Sequence, residues 1–354
     1  MSSPPPSPEA QLTFLSKLQR LFAEGDFTAT YKYALLVALA DLAVELGADD
    51  GAELLVSTRQ IGERFIGLYW NHATPYGTGV VGAQPGVLVQ NLGAQAAVVS
   101  AIGAFRHPVP ASSPQSASKH VLYGKLLSEV TKTVAAQPLN YLQNFGGTTD
   151  EFLYERLGMG QVRIKPGVSY CLRRFQPLVQ QLARTHWLDH IKSNHRNQFV
   201  LGHTDDLREF LFGLSRQSLL LLGKELRKLD GGGCFYCGLP LREADVDHFV
   251  PFSLYPRDLA HNFVLAHPAC NRSKSDMLAA KRHLERWLER LTRDSDALQE
   301  VGARAGVVVD ESVCRRVAAW GYSSARASGG HAWIERRSVE PVDGKYMDLF
   351  SDGE

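Results

Sequence analysis

Apolar residues in the first part of the chain recur every three or four positions, which is the spacing of one face of an α-helix. Over residues 11–45 this pattern predicts two amphipathic helices that are separated at Gly25. A Ser or Thr is available as an N-terminal cap for the next helix, which is predicted over residues 57–72. The first 150 residues are therefore expected to be mostly helical. The same spacing predicts further helices over residues 93–105, 119–135, 170–195 and 205–229.

Two surface loops and one strand interrupt these helices. Residues 77–86 and 108–118 are rich in Gly, Pro and Ser, a composition that is typical of loops. Residues 162–164 are predicted to form a short strand, because a Pro and a Gly follow this β-prone run.

The pattern changes in the last third of the chain. Two β-prone runs, residues 246–248 and 262–265, are joined by a loop, and a helix opens near Asn271. The predicted order is strand, loop, strand, helix. Neighbouring residues on a strand point to opposite faces, so Asp247 and His248 are expected to have different roles.

We therefore predict a mainly α protein with a small α+β module near its C-terminal end. A helical N-terminal region of targeting or regulatory role precedes this module. The predicted parts are a disordered tail over residues 1–10, a helical domain over 11–200, the module with its lead-in helix over 201–295, and a C-terminal extension over 296–354.

The overall composition is that of an ordinary folded protein and indicates no partner. The 354 residues carry 38 Lys and Arg against 37 Asp and Glu, and 44% are hydrophobic, which excludes a disordered or collagen-like chain. Residues 65–105 contain no charged residue, but Gly and Pro interrupt the roughly 20 continuous apolar residues that a membrane-spanning helix needs. The first residues lack the pattern of a secretory signal, so we expect a soluble, cytoplasmic protein without membrane insertion.

One segment is more basic than the rest of the chain. Residues 161–230 contain 12 Lys and Arg against 6 Asp and Glu. A solvated helix face with ion pairs between successive turns explains this excess as well as contact with nucleic-acid phosphates does. Both interpretations stay open.

Three of the five cysteines lie within 37 residues and have the spacing of metal ligands. Cys234 and Cys237 form a C-x-x-C pair, and His267 and Cys270 form an H-x-x-C pair after 29 intervening residues. Together they supply four thiolate and imidazole ligands for tetrahedral zinc. His261 is a competing imidazole, but the spacing to Cys270 favours His267. A closed site of four ligands has no position for water, so this zinc is predicted to be structural.

Beyond these pairs, the sequence resembles the HNH endonuclease family, whose members have a ββα-metal core. The resemblance covers roughly residues 230–290. Asn271 stands at the place of the third histidine in the family name, so the chain is an HNN variant similar to the nuclease module of CRISPR effectors. The residues that carry the resemblance are, in chain order, Cys234, Cys237, Asp247, His248, Asn262, Cys270, Asn271 and Lys274.

The resemblance implies a role for each catalytic residue. His248 is expected to be the general base, and Asp247 and Asn271 are expected to hold one divalent cation. Asn262 is expected to fix the loop that presents His248. Carboxylate and amide oxygens favour Mg²⁺, or Mn²⁺, at this site.

The chemistry of phosphodiester hydrolysis also accounts for these residue types. The reaction needs a nucleophilic water, compensation of charge on the phosphoryl oxygens, and help for the departing O3′. A histidine with an ordinary pKa of about 6.5 can take a proton from water at neutral pH. Arg272 and Lys274 lie at the start of the helix, where amide groups favour an anion, and are predicted phosphate contacts.

The favoured hypothesis is a magnesium-dependent DNA endonuclease, and a single core of this kind is expected to nick one strand. The resemblance also implies a setting, because relatives with a long helical region before the HNH core often belong to bacterial antiviral or restriction systems, Zorya-like ones among them. Other subunits of such a system are then possible partners besides DNA. Two alternatives stay open, namely an inactive zinc-stabilised nucleic-acid-binding module and an HNH nuclease that acts on RNA.

Overall fold

The structure is a computed structural model that describes residues 3–77, 85–109, 111, 113–201 and 206–351. Most of the first predicted loop, parts of the second and the acidic C-terminal end lie outside the described residues. Within the described part of the chain, no helix is long and apolar enough to cross a membrane. The chain divides into two units, Met1–Gly213 and Leu214–Glu354.

The N-terminal unit is mainly helical, as the spacing of its apolar residues predicts. Short 3-10 turns follow α3 and α9 at Asn71–Ala73 and His195–Asn197. The helices are α1 Pro8–Glu24, α2 Tyr31–Leu46, α3 Thr58–Tyr69, α4 Ala97–Arg106, α5 Pro114–Ala117, α6 Tyr123–Ala136, α7 Pro138–Tyr141, α8 Val168–Arg174, α9 Gln176–Ser193, α10 Gln198–Leu201 and α11 Leu207–Phe212.

Helix α2 is the centre of this unit. Its residues from Tyr31 to Glu45 are all buried, because the helix is apolar on every side and such a helix needs to be surrounded. The amphipathic pattern predicted for α2 is therefore wrong. Its buried acidic groups have partners, since Asp41 accepts a hydrogen bond from Gln180 at 2.7 Å and Glu45 pairs with Arg64.

Short strands complete the N-terminal unit. Three of them form an antiparallel sheet in the order β1-β5-β4, with Val56 opposite Val162, and the other two form a separate hairpin. The predicted strand at residues 162–164 is part of β5 and is confirmed. Ser57 ends β1 and caps α3. The strands are β1 Leu54–Ser57, β2 Asn144–Phe145, β3 Thr148–Thr149, β4 Tyr154–Arg156 and β5 Gln161–Ile164.

The C-terminal unit contains the predicted order of strand, loop, strand and helix. The first strand pair is antiparallel, and a second hairpin lies near the end of the chain. The fold class predicted from the sequence, mainly α with a small α+β module, is confirmed. The elements are α12 Arg216–Leu229, β6 Asp245–His248, β7 Phe263–Ala266, α13 Pro268–Lys274, α14 Lys281–Ala305, α15 Glu311–Ala327, β8 His331–Glu335, β9 Ser338–Pro341 and α16 Gly344–Asp348.

The single helix predicted over residues 205–229 is wrong. Its first residue lies outside the described part, and the remainder forms α11 and α12 with a break at Gly213, whose backbone is extended. Ser215 then accepts a hydrogen bond from the backbone of Ser218 and starts α12 as its cap. The division between the two units also falls at Gly213, and not at the expected position after residue 200.

The two ends of the chain also differ from expectation. Residues 1–2 lie outside the described part, but the rest of the predicted tail is ordered by contacts, because Gly51 donates a backbone hydrogen bond to Ser3 at 3.0 Å. Helix α1 begins at Pro8, since Ser7 caps it and Pro suits the first turn. At the other end, the expected boundary after residue 295 falls inside α14.

Candidate active site and metal centre

The candidate site is built on the β6–β7 hairpin and α13. In the antiparallel pair Asp245 lies opposite Ala266 and His248 lies opposite Phe263. Because side chains alternate along a strand, Asp245 and Asp247 share one face of β6. The next element, α13, starts two residues after β7, so the hairpin and helix are held close together.

The four predicted zinc ligands converge at one end of this hairpin. The ligand atoms of Cys234, Cys237, His267 and Cys270 all lie within 4.8 Å of one another. The Sγ of Cys237 is 3.3 Å from Nδ1 of His267. His261, the competing imidazole, is buried elsewhere and is not part of the group. The donor set and its closeness fit a tetrahedral zinc ion.

Two thiols of this cluster, those of Cys234 and Cys270, have shifted pKa values. Burial opposes ionisation of Cys234, but several hydrogen-bond donors, including the backbone of Cys237 and His267, lower its pKa to about 7. Burial and the neighbouring Cys234 and Cys237 raise the pKa of Cys270 to about 12. Without a cation between them, thiolates at this distance repel one another. A bound metal ion removes this repulsion.

His248 is held on three sides at the end of β6. Its Nε2 lies 2.7 Å from Oδ1 of Asp258, and its side chain is 22% exposed. The rings of Phe263 and Phe252 lie 4.3 Å and 5.2 Å from the imidazole centroid. Asp258 was not among the residues predicted from the sequence, because no motif marks its position in the loop.

Asn262 is buried and clamps the loop that follows His248. Its side-chain oxygen accepts a hydrogen bond from Val250 N at 2.7 Å, and its side-chain nitrogen donates to Val250 O at 2.8 Å. Its backbone oxygen accepts a further bond from Phe249 N at 2.7 Å. These three bonds fix the chain directly after His248.

Asp247 is buried and already has two partners. The hydroxyl of Tyr236 donates to its Oδ2 at 2.5 Å, and the ammonium of Lys274 lies 3.2 Å from the same oxygen. Lys274 also donates to the backbone oxygen of His248 at 2.9 Å. Burial, and then the Asp247 carboxylate, raise the pKa of Tyr236 well above its ordinary value, so this phenol acts as a donor.

Lys274 does not lie where a surface phosphate contact would. Its side chain is 0% exposed, since residues 271 and 274 lie on the same face of α13 and this face points at β6. The expected phosphate contact at Lys274 is therefore corrected to a buried ion pair. Arg272, on the other side of the helix, is exposed. Both residues lie in the last turn of α13, and not at the start of a helix as expected, so the free amide groups of a helix start do not favour an anion there.

Asn271 contacts Asp245, a residue that the sequence did not single out. Its Nδ2 donates to Oδ2 of Asp245 at 3.0 Å. The alternation of β6 was the signal that could have found Asp245, because it lies on the same face as Asp247. Two carboxylates and one amide therefore line the face of β6 that meets α13.

These groups fit a hard divalent cation by the chemistry of their donors. Asp245, Asp247 and Asn271 offer carboxylate and amide oxygens, which Mg²⁺ and Mn²⁺ prefer. In this structure the amide of Asn271 contacts Asp245, and the ammonium of Lys274 and the hydroxyl of Tyr236 contact Asp247. These protein groups therefore already compensate part of the negative charge of the two carboxylates, which a bound cation would neutralise.

The C-terminal hairpin also supports the site. In β8, the Nε1 of Trp333 donates to Oγ of Ser273 in α13 at 3.0 Å. The Trp333 ring lies 5.2 Å from Tyr236, whose hydroxyl holds Asp247, and stacks on His283 at 5.5 Å. Residues far beyond β7 and α13 therefore brace the helix that carries Asn271.

Two family models match the chain, one in each unit. A family model described as a domain of unknown function (DUF8808) matches residues 11–207, which is more than half of the chain. A second model, described as HNH endonuclease, matches residues 234–280 and confirms the resemblance drawn from the sequence. Neither the curated proteins nor the solved structures gave a match. The chain therefore belongs to the family defined by this domain of unknown function and carries an HNH endonuclease segment in its C-terminal unit.

Proposed function

We propose that this protein is a metal-dependent endonuclease that hydrolyses phosphodiester bonds of DNA. The observation that carries the proposal is the contact between β6, which carries Asp247 and His248, and α13, which carries Asn271, in a ββα unit that matches the HNH endonuclease family. Each of the three has the chemistry that hydrolysis requires. The inactive-module hypothesis predicts a damaged set of such residues, and this set is whole.

His248 is the proposed general base. Its imidazole is partly exposed, so water can reach it, and the clamp from Asn262 to Val250 keeps its strand end in place. A neutral imidazole can take the proton of a water that attacks phosphorus. Asp258 offsets the charge that the ring then gains.

The proposed cation is Mg²⁺ or Mn²⁺, held by Asp247 and Asn271 with Asp245 beside them. When bound, such an ion supplies charge compensation for the phosphoryl oxygens and the departing O3′. Zinc at the four-ligand cluster is proposed to be structural, because four protein ligands leave no open position. Free thiols in such a cluster agree with a reducing, cytoplasmic compartment.

DNA contact is proposed for Arg272, which is exposed one residue after Asn271. Further contact is proposed for the exposed Lys and Arg residues of the basic segment 161–230, which excludes the buried Arg173 and Arg184. Loss of one phosphate contact reduces the slope of log affinity against log salt by about 1. We expect that change for Arg272→Ala in salt titrations of duplex binding, measured with EDTA present so that no cleavage occurs.

The experiment that tests the function is cleavage of supercoiled plasmid by the full chain with Mg²⁺, Mn²⁺ or EDTA. We expect metal-dependent conversion to open circle that is lost in His248→Ala. His331→Ala is the matched control, because His331 is an exposed histidine of the same unit. Cleavage that persists in His248→Ala, or that proceeds in EDTA, would refute the proposal.

Matched DNA and RNA substrates of one sequence distinguish the proposed function from the RNA alternative. Preferential cleavage of RNA would replace DNA as the substrate. Metal-independent binding without cleavage of either nucleic acid would support the inactive zinc module.

The proposed biological setting is antiphage defence or restriction, with the helical N-terminal unit as the targeting or regulatory part. Its support is the order of a long helical unit followed by an HNH segment. Phage plating on cells that carry the native gene cluster tests this setting. Protection should be lost when the cluster encodes His248→Ala and retained with His331→Ala.

A further inference from the structure

Asp258 makes the contact that fixes the orientation of the His248 ring. The two side chains meet at 2.7 Å between Oδ1 and Nε2, with 14% and 22% of their surfaces exposed. A surface ion pair of two mobile side chains would be far more exposed and would contribute little. This pair lies instead in a restricted setting beside Phe252 and Phe263.

The backbone on either side of Asp258 is anchored. Leu259 pairs with Val308 in a parallel bridge, and Ala260 N donates to Val308 O at 2.8 Å. On the other side, Arg257 N donates to Tyr255 O at 2.8 Å in a turn. The carboxylate is thus delivered to the imidazole by a fixed part of the loop, and not by a free side chain.

An ionised carboxylate has no proton to donate, so it can act only as an acceptor. In a neutral imidazole, the nitrogen that contacts the carboxylate must therefore carry the ring proton. In His248 that nitrogen is Nε2, which leaves the lone pair on Nδ1. Within the described part of the chain, no hydrogen bond joins Nδ1 to another residue. Nδ1 is therefore the atom that remains able to accept a proton.

We propose that Asp258 is a positioning residue that holds His248 in the Nε2–H tautomer and so assigns Nδ1 as the proton-accepting atom. This inference rests on the proposed function for the role of Nδ1 in hydrolysis, but the tautomer itself does not depend on activity. Asp258 acts through the ring and does not touch the reacting atoms.

The test is ¹⁵N NMR of the full chain with labelled histidine, recorded at about pH 8, above the ordinary histidine pKa of about 6.5. The chain has 12 histidines, so the His248 signals are identified by their loss in His248→Gln. Long-range couplings to the ring protons distinguish a protonated from an unprotonated nitrogen. We expect a protonated Nε2 and an unprotonated Nδ1 in the wild type.

Asp258→Asn supplies an amide of the same shape that can donate to Nε2. This variant should shift the ring toward the Nδ1–H tautomer and lower kcat by about 100-fold or more with KM little changed. Asp296→Asn, an exposed aspartate in α14, is the matched control and should change neither the tautomer nor kcat.

Asp258→Glu provides a conservative test, because it restores a carboxylate at greater reach. We expect it to recover the Nε2–H tautomer and part of kcat. An unchanged tautomer in Asp258→Asn would overturn the proposal, as would a loss of kcat that Asp258→Glu does not relieve. A wild type that shows the tautomer and its shift but never cleaves nucleic acid would refute the proposed function while leaving the role of Asp258 toward the ring supported.

Discussion

The ammonium of Lys274 lies 3.2 Å from Oδ2 of Asp247, and the two side chains are 0% and 10% exposed. A buried carboxylate without a positive partner is costly, and this ion pair supplies that partner to Asp247 inside the C-terminal unit. The same lysine bonds the backbone oxygen of His248, and it therefore ties α13 to the end of β6. Lys274 is an internal counter-ion at the residue proposed to hold a divalent cation.

Lys274→Met should destabilise the protein and strengthen its binding of Mn²⁺. The variant leaves Asp247 as a buried, unpaired charge, for which a loss of about 3 kcal/mol in the free energy of unfolding is expected. The missing positive charge should also lower the Kd for Mn²⁺ by about tenfold, which corresponds to 1.4 kcal/mol. Urea unfolding without metal and calorimetric titration with Mn²⁺ measure the two effects.

Lys281→Met is the matched control for this variant. Lys281 pairs with Glu285 at 3.6 Å on a partly exposed helix surface, so its removal should cost less than about 1 kcal/mol. It should leave Mn²⁺ affinity unchanged. Equal Mn²⁺ affinity in Lys274→Met and the wild type would show that Lys274 does not oppose the cation at Asp247.

Asn262→Ala should abolish cleavage through the loss of two bonds to Val250. The backbone groups of Val250 become buried and unsatisfied, at about 1–3 kcal/mol each. The loop after His248 then loses its fixed position. The rate of plasmid nicking should therefore fall by more than the loss in the free energy of unfolding alone would cause. Urea unfolding and the nicking rate of the same preparation report the two effects separately.

The N-terminal unit offers a close chemical match for this test. Asn197 accepts from Val89 N at 2.7 Å and donates to Val89 O at 3.0 Å, in the same arrangement as Asn262 with Val250. Asn197→Ala should therefore lose similar stability but keep nicking of plasmid. Equal loss of nicking in the two variants would mean that the bonds of Asn262 have no special role at His248.

The sequence was sufficient to predict the scaffold of the site because its spacing constrains what lies close together. The C-x-x-C pair and the H-x-x-C pair lie on either side of a hairpin and must meet when one metal joins them, and the strand order followed from β-prone runs. Asp258 and Tyr236 could not be predicted in the same way. Their roles depend on where the fold places the loop between β6 and β7 and the C-x-x-C pair. No local sequence pattern indicates these positions.

Lys274 and α2 show two other limits of the sequence pattern. Lys274 was expected at the start of a helix and exposed, but it is the last residue of α13, and only the packing of α13 on β6 reveals that it is buried. In α2, apolar residues at helical spacing predicted a half-buried helix, whereas the few polar positions are also buried and hydrogen-bonded. Tertiary contacts decided both cases.

Loss of the zinc cluster should disturb the proposed active site as well as the C-x-x-C and H-x-x-C pairs. Tyr236 lies between Cys234 and Cys237, and its hydroxyl bonds Asp247 at 2.5 Å. Cys270→Ser should reduce bound zinc from about one per chain to less than about one tenth, because a structural site depends on its complete ligand set. Nicking should then fall even with saturating Mg²⁺. Metal analysis by mass spectrometry and plasmid cleavage measure these outcomes.

Cys314→Ser is the control, because Cys314 is a buried cysteine of the same unit that lies outside the cluster. The Cys314→Ser protein should keep about one zinc ion bound per chain. Full zinc occupancy in Cys270→Ser would contradict the assignment of Cys270 as a ligand. Normal nicking by a zinc-free protein would contradict the link from the C-x-x-C pair through Tyr236 to Asp247.

His72 should make the stability of the N-terminal unit depend on pH. The imidazole is fully buried beside Tyr69 and Trp187, and burial lowers its pKa to about 3. In the unfolded chain its pKa is about 6.5, so between these values the unfolded state binds the extra proton. Stability is therefore complete above about pH 6.5 and is lost as the pH falls toward 3, by up to about 1.4 kcal/mol per pH unit.

Replacing His72 by an uncharged ring isolates this contribution. His72→Phe keeps an aromatic side chain in the cavity and removes the titrating group, so the slope of unfolding free energy against pH between about 6 and 4 should fall by roughly 1.4 kcal/mol per unit. His107→Phe changes an exposed histidine of the same unit and should leave the slope as it is in the wild type. Urea unfolding of the full chain across this range gives the three slopes. Because a proton taken up only by the unfolded state must lower stability, an unchanged slope in His72→Phe would mean that His72 is already protonated in the folded protein.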